Sequence, residues 1–364
     1  MTQHQRITWL MPLAGLSISL ALFGFFHFGH GYDFGMFYHD GRAWNTGAPL
    51  YKHPNLNPPL LTGLVFGPVA RLPFKLAQWA WLIASLCSVI ASFRSIGAEL
   101  RSKQTDMLDT VVMFLVCHGT FLQVWQGQII WLLLYPVTRA WISYRRSSYI
   151  AAGLWLAPVI AVKPSLLLTA IVLPPTVWLI AGTASAALTG LGVLWTGWSP
   201  WSAWLETGVS VDWVSQHLNA SLWGLATRLE LGVARGSGME HLSTATTIAV
   251  LAMGGWCAYR VIQTGSADQR FAGALLWHVL LSPLGWITYL PLAVGPAAAS
   301  WPRSRLAATA FALVCLPLGF ASTQVDWPTA LVRTAGVIYP VAVLCGWYAF
   351  THAPTLMRAE IPNP

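Results

Sequence analysis

Apolar stretches long enough to cross a lipid bilayer recur along this chain from residue 7 to residue 350, and they restrict what it can fold into. Charged residues make up 9% of the chain and mean hydropathy is +0.57, whereas soluble domains carry about 25% charged residues. We therefore predict an all-α polytopic membrane protein. At roughly 20 residues per spanning helix, the chain has room for about ten to twelve transmembrane helices in one integral domain, residues 1–364.

The apolar stretches give the predicted helices, and several of them are short or contain Pro and Gly. The first stretch spans about 22 residues, and no A-x-A-like cleavage site follows it, so we expect a retained first helix and no cleaved signal peptide. The predicted stretches are residues 7–28, 76–93, 107–124, 129–143, 148–162, 165–182, 184–198, 244–262, 271–288, 289–300, 305–322 and 331–350. The prolines expected to kink or end helices are Pro136, Pro158, Pro174, Pro283 and Pro340.

Orientation follows from the distribution of Lys and Arg, because cytoplasmic loops of membrane proteins are enriched in basic residues. With the N-terminus in the cytoplasm, alternate short connections carry ten of the 20 basic residues, and Arg6 and Arg358 bring the cytoplasmic total to 12. The two long connections, approximately residues 31–75 and 199–243, then lie on the extracytoplasmic face and carry six of the 12 acidic residues. The basic residues assigned to cytoplasmic connections are Arg94, Arg101, Lys103, Arg139, Arg145, Arg146, Arg260, Arg270, Arg303 and Arg305.

Composition also limits the functional classes. The basic residues are scattered through short loops, so the net charge of +8 does not indicate a nucleic-acid partner. The five cysteines form no C-x-x-C pair and lie in apolar stretches, which favours small buried hydrophobic side chains over metal binding or disulfides. There is no D-x-D pair either. We therefore expect a protein that needs no metal ion and no other cofactor.

A polar segment directly after the first apolar stretch is the strongest functional signal. It begins at Asp33 and continues through Asp40 and Arg42 to Asn57. A carboxylate at the mouth of a membrane helix is costly to place, and it therefore marks a candidate functional site. Five segments in this and later regions occur in a fixed order. They are Asp33-Phe34 with Phe37-Tyr38, Gly127-Gln128-Ile129, Val162-Lys163-Pro164, Asn219-Ala220-Ser221 with Arg228, and Leu281-Ser282-Pro283 with Trp286.

On these segments the sequence resembles glycosyltransferase family 87, whose members are membrane enzymes with the C-type glycosyltransferase fold. The resemblance implies transfer of a hexose, mannose in typical members, from a polyprenyl-phosphate-linked donor to a lipid or glycan acceptor. It also implies an active site on the extracytoplasmic face of the plasma (inner) membrane, in contact with membrane lipids. One departure concerns the donor region: the family has Asp-His-His after the tryptophan, and this chain has Ile287-Thr288-Tyr289.

The resemblance and the chemistry together assign roles. Asp33 is the first candidate for the base that takes the proton of the acceptor hydroxyl, and Asp40 is the second. The alternatives for Asp33 are a helix N-cap or an ion pair with Arg42. The leaving phosphate needs positive charge, for which the candidates are Lys163 first, then Arg228 and Arg42. The alternatives are snorkelling to the interface for Lys163, a solvated loop charge for Arg228 and an ion pair with Asp40 for Arg42.

Three further assignments concern other polar side chains. Gln128 and Asn219 are candidates for binding sugar hydroxyls, with helix capping as the alternative. His278 is expected to pack or to hydrogen-bond a neighbouring helix. His27 and His30 are candidates to replace the histidines absent after Trp286.

Two other readings remain open from the sequence. A transporter or lipid flippase uses a similar apolar bundle, but such proteins favour inverted repeats and charges near the midplane, and neither pattern is visible here. A non-catalytic relative of the family is the other, because the Asp-His-His element is missing.

Overall fold

The computed structural model describes residues 3–28, 33–51, 57–101, 107–210, 213–231, 239–301, 304–316 and 329–352. It is 85% helical and has no strands in these ranges. One isolated antiparallel bridge joins Asn219 to Trp286. In chain order the helices are α1 Gln3–Phe28, α2 Asp33–Thr46, α3 Pro59–Val69, α4 Phe74–Leu100, α5 Met107–Val116, α6 His118–Gln126, α7 Ile130–Arg145, α8 Tyr149–Val162, α9 Leu167–Ile171, α10 Pro175–Thr196, α11 Ser199–Ser210, α12 Leu222–Glu230, α13 Thr244–Gln263, α14 Ala267–Leu281, α15 Val294–Ser300, α16 Arg305–Cys315 and α17 Thr329–His352.

Four 3₁₀ segments complete the regular structure of the described ranges: Pro164–Leu166, Trp213–Ser215, Met239–His241 and Ile287–Ala293.

The chain is an all-α polytopic membrane protein, as predicted. Within the described residues, four helices are long and apolar enough to cross a bilayer, or up to five if the bent pair α5 and α6 forms one span. Four further apolar helices have only 10–17 residues. Length and hydropathy thus identify fewer spans than the ten to twelve predicted, because several apolar stretches form short helices.

Prolines divide the helices only in part as predicted. The stretches 165–182 and 184–198 were expected to be two helices, but the structure breaks them earlier. The short α9 ends at Ile171, and the long α10 begins at Pro175, directly after Pro174. Proline is favoured in a first helical turn because its missing N–H would have no helical acceptor there. The expected break near residue 183 does not occur.

Elsewhere the helix continues through its proline. Pro136 lies inside α7, Pro158 inside α8 and Pro340 inside α17. Of the two expected effects, a kink or an end of the helix, these three prolines therefore do not produce the second. The long connections 31–75 and 199–243 are themselves largely helical in the described residues, since they contain α2, α3, α11 and α12.

Helix α10 shows how small residues allow close packing in a lipid environment. Its buried positions Val177, Ala181 and Ser185 recur every four residues and form one narrow face, and this helix packs against α8. Small side chains permit the close approach that van der Waals packing between membrane helices requires. The remaining faces expose large apolar side chains such as Leu191 and Leu194, as expected for lipid contact.

A cluster of charges fixes one end of the bundle, and we call it the charged end. Arg145 lies 3.2 Å from the Glu99 carboxylate and 3.3 Å from that of Asp268, and Arg146 lies 2.7 Å from Glu99. Trp141 donates its indole N–H to Asp268 at 3.0 Å. The cluster ties the C-terminal ends of α4 and α7 to the start of α14.

Helix α6 supports the opposite end. Its direction differs by 62° from that of α5, with Cys117 at the break. The Gln123 side chain donates to the backbone carbonyl of Thr288 at 3.0 Å, and Trp81 on α4 donates to the carbonyl of Gly127 at 3.0 Å. At Gly119 the α6 backbone approaches the carbonyl of Ile287 so closely that an added Cβ would overlap it. The helix is therefore held against segment 287–293 along its length.

The close approach at Gly119 gives a stability prediction. Gly119→Ala places a methyl group against a backbone carbonyl that cannot rotate away, so we expect a loss of about 1–3 kcal/mol of unfolding free energy. Thermal unfolding of the protein in detergent or lipid measures this loss. Gly182→Ala in α10 is the control: an added Cβ there has open space, and alanine favours a helix by up to about 1 kcal/mol over glycine. Equal stability of the two variants would contradict the packing described.

Candidate active site

Asp33 is the first residue of α2 and is half-buried. Its neighbour Phe34 is fully buried, with its ring centroid 5.5 Å from Phe25, 5.6 Å from Phe74 and 5.7 Å from Trp81. This aromatic cluster joins α1, α2 and α4. The packing of Phe34 therefore fixes the start of α2 and, with it, the backbone position of Asp33. A carboxylate in the first helical turn also interacts favourably with the helix dipole.

Lys163 shares its surroundings with Asp33. It follows the last residue of α8, and its backbone N–H donates to the carbonyl of Val159 at 2.8 Å. Burial lowers the pKa of Lys163 from 10.5 to about 8, and the charge of Asp33 partly opposes this shift. Because that opposition requires the two charges to be near each other, the structure brings together the first-choice base and the first-choice cation.

Gln128 lies in the turn that follows α6 and contacts the start of α2. Gly127 has a positive φ of 67°, and a Cβ on it would lie 2.6 Å from that of Phe34. The turn therefore touches the start of α2, and glycine is required there. Gln128 is half-buried and lines a small cavity together with Ser85, Gln123 and Trp131.

Asp40 lies two turns further along α2, away from the helix start. It is buried, with 5% of its surface exposed, and its charge acts on the Tyr51 hydroxyl. Burial, more than that charge, raises the pKa of Tyr51 well above its usual value. Tyr51 donates to the carbonyl of Asn57 at 2.9 Å and adopts a positive φ of 60°, which is rare for a residue other than glycine. Asp40 thus lies beneath the segment after α2.

Arg228 and Asn219 belong to a separate hydrogen-bonded cluster. Arg228 is 5% exposed, so the alternative of a solvated loop charge is wrong. Its guanidinium donates to the carbonyls of Gln216 at 2.7 Å, Asn219 at 2.9 Å and Gly336 at 2.6 Å. Burial lowers the pKa of Arg228 to about 10. The arginine joins α12 to segment 213–219 and to α17.

Asn219 is fully buried, and both ends of its side chain are used. Its amide donates to the carbonyls of Val214 at 2.9 Å and Pro283 at 2.6 Å, while its oxygen accepts from the N–H of Ser221 at 3.1 Å. Ser221 in turn caps α12 by accepting from Gly224 at 2.9 Å. The side chain therefore holds segment 213–221 against Pro283. Arg42, in contrast, is exposed on α2.

Several polar side chains near the site were not selected from the sequence. His118 is buried, its ring stacks 5.5 Å from Phe121 and 6.2 Å from Tyr339, and it interacts electrostatically with His217. A histidine inside the apolar stretch 107–124 was the available signal. No comparable signal marked Ser165.

His278 makes the predicted kind of hydrogen bond, to Ser165 at 3.1 Å. The hypothesis that His27 replaces one of the histidines absent after Trp286 has no such support. His27 is exposed, and its Nδ1 lies 3.0 Å from the carbonyl of Phe23 in its own helix. His30 lies outside the described residues. Within the described ranges no three His, Cys, Asp or Glu side chains cluster as metal ligands.

Comparison with known proteins gives one match. The family model of glycosyltransferase family 87 matches residues 55–283. These residues include Gln128, Lys163, Asn219 and Arg228 and leave out α2 with Asp33. No curated protein and no solved structure matches the chain.

The charge of Asp33 gives a prediction for Lys163. Asp33→Asn removes the negative charge that raises the lysine pKa, so the pKa should fall below about 8. Labelling with an amine-reactive acetylating reagent across pH, read by mass spectrometry, measures the pKa at Lys163, with Lys75 as internal reference. Glu206→Gln, a change of an exposed carboxylate on α11, is the matched control. An unchanged labelling midpoint in Asp33→Asn would show that the charge of Asp33 does not act on the pKa of Lys163.

The buried guanidinium gives a second prediction for this region. Arg228→Met leaves buried carbonyl groups without their donors, and each such group costs about 1–3 kcal/mol. We expect a clear fall in the thermal unfolding midpoint. Arg94→Met, at an exposed arginine of α4, should change that midpoint little. If Arg228→Met unfolds at the same midpoint as the native chain, the bonds of the guanidinium do not hold segment 213–219.

Proposed function

Because the chain belongs to glycosyltransferase family 87, we propose that it transfers a hexose from a polyprenyl-phosphate-linked donor to a lipid or glycan acceptor. By resemblance to typical members of the family, we propose that the sugar is mannose. On the same basis we propose that the chain has the C-type glycosyltransferase fold. The observation that carries the proposal is the electrostatic interaction of Asp33, at the start of α2, with Lys163, at the end of the apolar helix α8. Helix ends at the boundary between membrane and water can be reached both by a lipid-linked donor and by a polar acceptor.

The proposed reaction uses both charges. The acceptor hydroxyl oxygen attacks the anomeric carbon, and the bond from that carbon to the phosphate oxygen breaks. The phosphate leaves with the bonding electron pair, and the hydroxyl proton passes to the Asp33 carboxylate. A positioned base contributes typically about 10²–10⁴-fold to such a step. The Lys163 ammonium stabilises the negative charge that develops on the leaving phosphate.

The remaining residues divide into binding and supporting roles. We propose that Gln128 binds sugar hydroxyls, since it lies beside the start of α2 and is half-buried. Asn219 and Arg228 use their polar atoms on backbone carbonyls, which supports a role in holding segment 213–221 rather than in binding the donor. The burial of Asp40 next to Tyr51 favours a supporting role for that carboxylate as well.

An extracytoplasmic active site of a plasma-membrane protein is part of the proposal. Helices α7 and α8 are joined by only residues 146–148 and run antiparallel, so Gln128 and Lys163 lie at the ends away from Arg145 and Arg146. Basic residues favour the cytoplasmic side. If the charged end faces the cytoplasm, then Asp33 and Lys163 face the other side.

The proposal is tested with purified protein in lipid, polyprenyl-phosphate-mannose and a lipid acceptor extract, with transfer measured as labelled product. Asp33→Asn should reduce the turnover by about 10²–10⁴-fold, because the base is lost. Asp33→Glu keeps the carboxylate and should retain part of the activity. Glu206→Gln should behave like the native chain.

Two outcomes contradict different parts of the proposal. Full activity of Asp33→Asn would remove Asp33 as the base and leave the reaction standing. No transfer by the native chain from mannosyl, glucosyl or galactosyl polyprenyl phosphates would reject the donor class itself.

A further inference from the structure

Lys163 leads directly into a short turn. The 3₁₀ segment Pro164–Leu166 follows it, and the N–H of Leu166 donates to the carbonyl of Lys163 at 2.9 Å. Pro164 has a fixed φ and no N–H of its own. Only three residues then separate Lys163 from the start of α9. A displacement of Ser165 therefore moves the backbone of Lys163 with it.

Ser165 is held by two partners on two different elements. His278 on α14 is completely buried, and its Nε2 lies 3.1 Å from the Ser165 hydroxyl oxygen. Tyr289, on the segment Ile287–Ala293, is buried, and its hydroxyl interacts with the Ser165 side chain. The Tyr289 ring also packs edge-on against the His278 ring, with centroids 4.9 Å apart at 87°. One hydroxyl thus connects three elements.

The partners of Ser165 are themselves fixed. Thr288, next to Tyr289, accepts a hydrogen bond from Gln123 on α6 at 3.0 Å. Ile287 donates its N–H to the carbonyl of Leu218 at 3.2 Å. His278 lies in α14, whose residues 271–280 are all buried. The network therefore rests on neighbours that are buried and hydrogen-bonded.

We propose that Ser165, His278 and Tyr289 are positioning residues that hold Lys163 next to Asp33. They act through the turn at 164–166 and do not touch the reacting atoms. Helix α14 and segment 287–293 thereby set the place of the cation that the leaving phosphate meets. This inference rests on the proposed function for its consequence in catalysis, but the positioning itself is a property of the protein alone.

Labelling of Lys163 tests the positioning without any substrate. Ser165→Ala and Tyr289→Phe each remove one hydroxyl and keep most of the side-chain volume. Both should change the labelling rate of Lys163 relative to Lys75 by about 3- to 10-fold, the size expected from one hydrogen bond. Ser165→Thr retains a hydroxyl and should stay near the native rate. Ser185→Ala, at a buried serine of α10 bonded within its own helix, is the matched control.

Transfer kinetics test the consequence. Ser165→Ala and Tyr289→Phe should raise the KM for the polyprenyl-phosphate donor more than they lower kcat with a saturating donor. Neither change should have a further effect in a Lys163→Met background, because residues that act through one group are not additive. A purely structural role would instead add its own effect in that background.

The outcomes separate the inference from the proposed function. Unchanged labelling of Lys163 in both Ser165→Ala and Tyr289→Phe overturns the positioning, whatever the kinetics show. Changed labelling in a protein that transfers no hexose supports the positioning and rejects the function. If Ser165→Ala does not fold, Tyr289→Phe decides, since it leaves the Ser165–His278 bond in place.

Discussion

Backbone outside a helix is tolerated in the interior of a protein only where its polar groups find partners, because a buried N–H or carbonyl without a partner is costly. Segments 213–221 and 282–289 satisfy this constraint with side chains. Asn219 and Arg228 bind the carbonyls of the first segment and connect it to Pro283 and Gly336. The carbonyl of Gly285 accepts the N–H of Ala220 at 2.8 Å. These bonds connect the two irregular segments to each other and to α17. Thr288 and Tyr289 lie at the end of the second segment.

A second constraint follows from charge. An isolated ammonium or carboxylate in an apolar interior is strongly disfavoured, and a nearby opposite charge offsets part of the cost. Asp33 and Lys163 come from elements far apart in the chain, the start of α2 and the end of α8. Each makes the other less costly to bury. The aromatic packing of Phe34 and the turn at 164–166 then decide how closely the two charges approach, so the geometry of this pair depends on neutral contacts.

The sequence predicted the class of protein, most helices and the break at Pro174, and it selected Asp33 and Lys163 as candidate site residues, because hydropathy, proline and rare charges in apolar stretches are local signals. It failed where the outcome depends on tertiary contacts. Whether Pro158 ends α8 or lies within it depends on neighbouring helices, and so does the continuation of α10 past residue 183. The sequence also could not distinguish a phosphate-binding Arg228 from one bonded to carbonyls at Gln216 and Gly336, since those carbonyls carry no signature in the residue names.

The segment after Trp286 illustrates how a changed motif can remain part of a site. Where the family has Asp-His-His, Ile287 contacts Gly119 through its carbonyl, Thr288 accepts from Gln123, and Tyr289 packs against His278 and interacts with Ser165. None of these contacts brings a positive charge. If the leaving phosphate is to be neutralised near Asp33, the charge must come from another element, and Lys163 is coupled to that carboxylate. Because Tyr289 stands where the family has a histidine, the position of Lys163 becomes more important. Tyr289 itself belongs to the network that we propose holds Lys163.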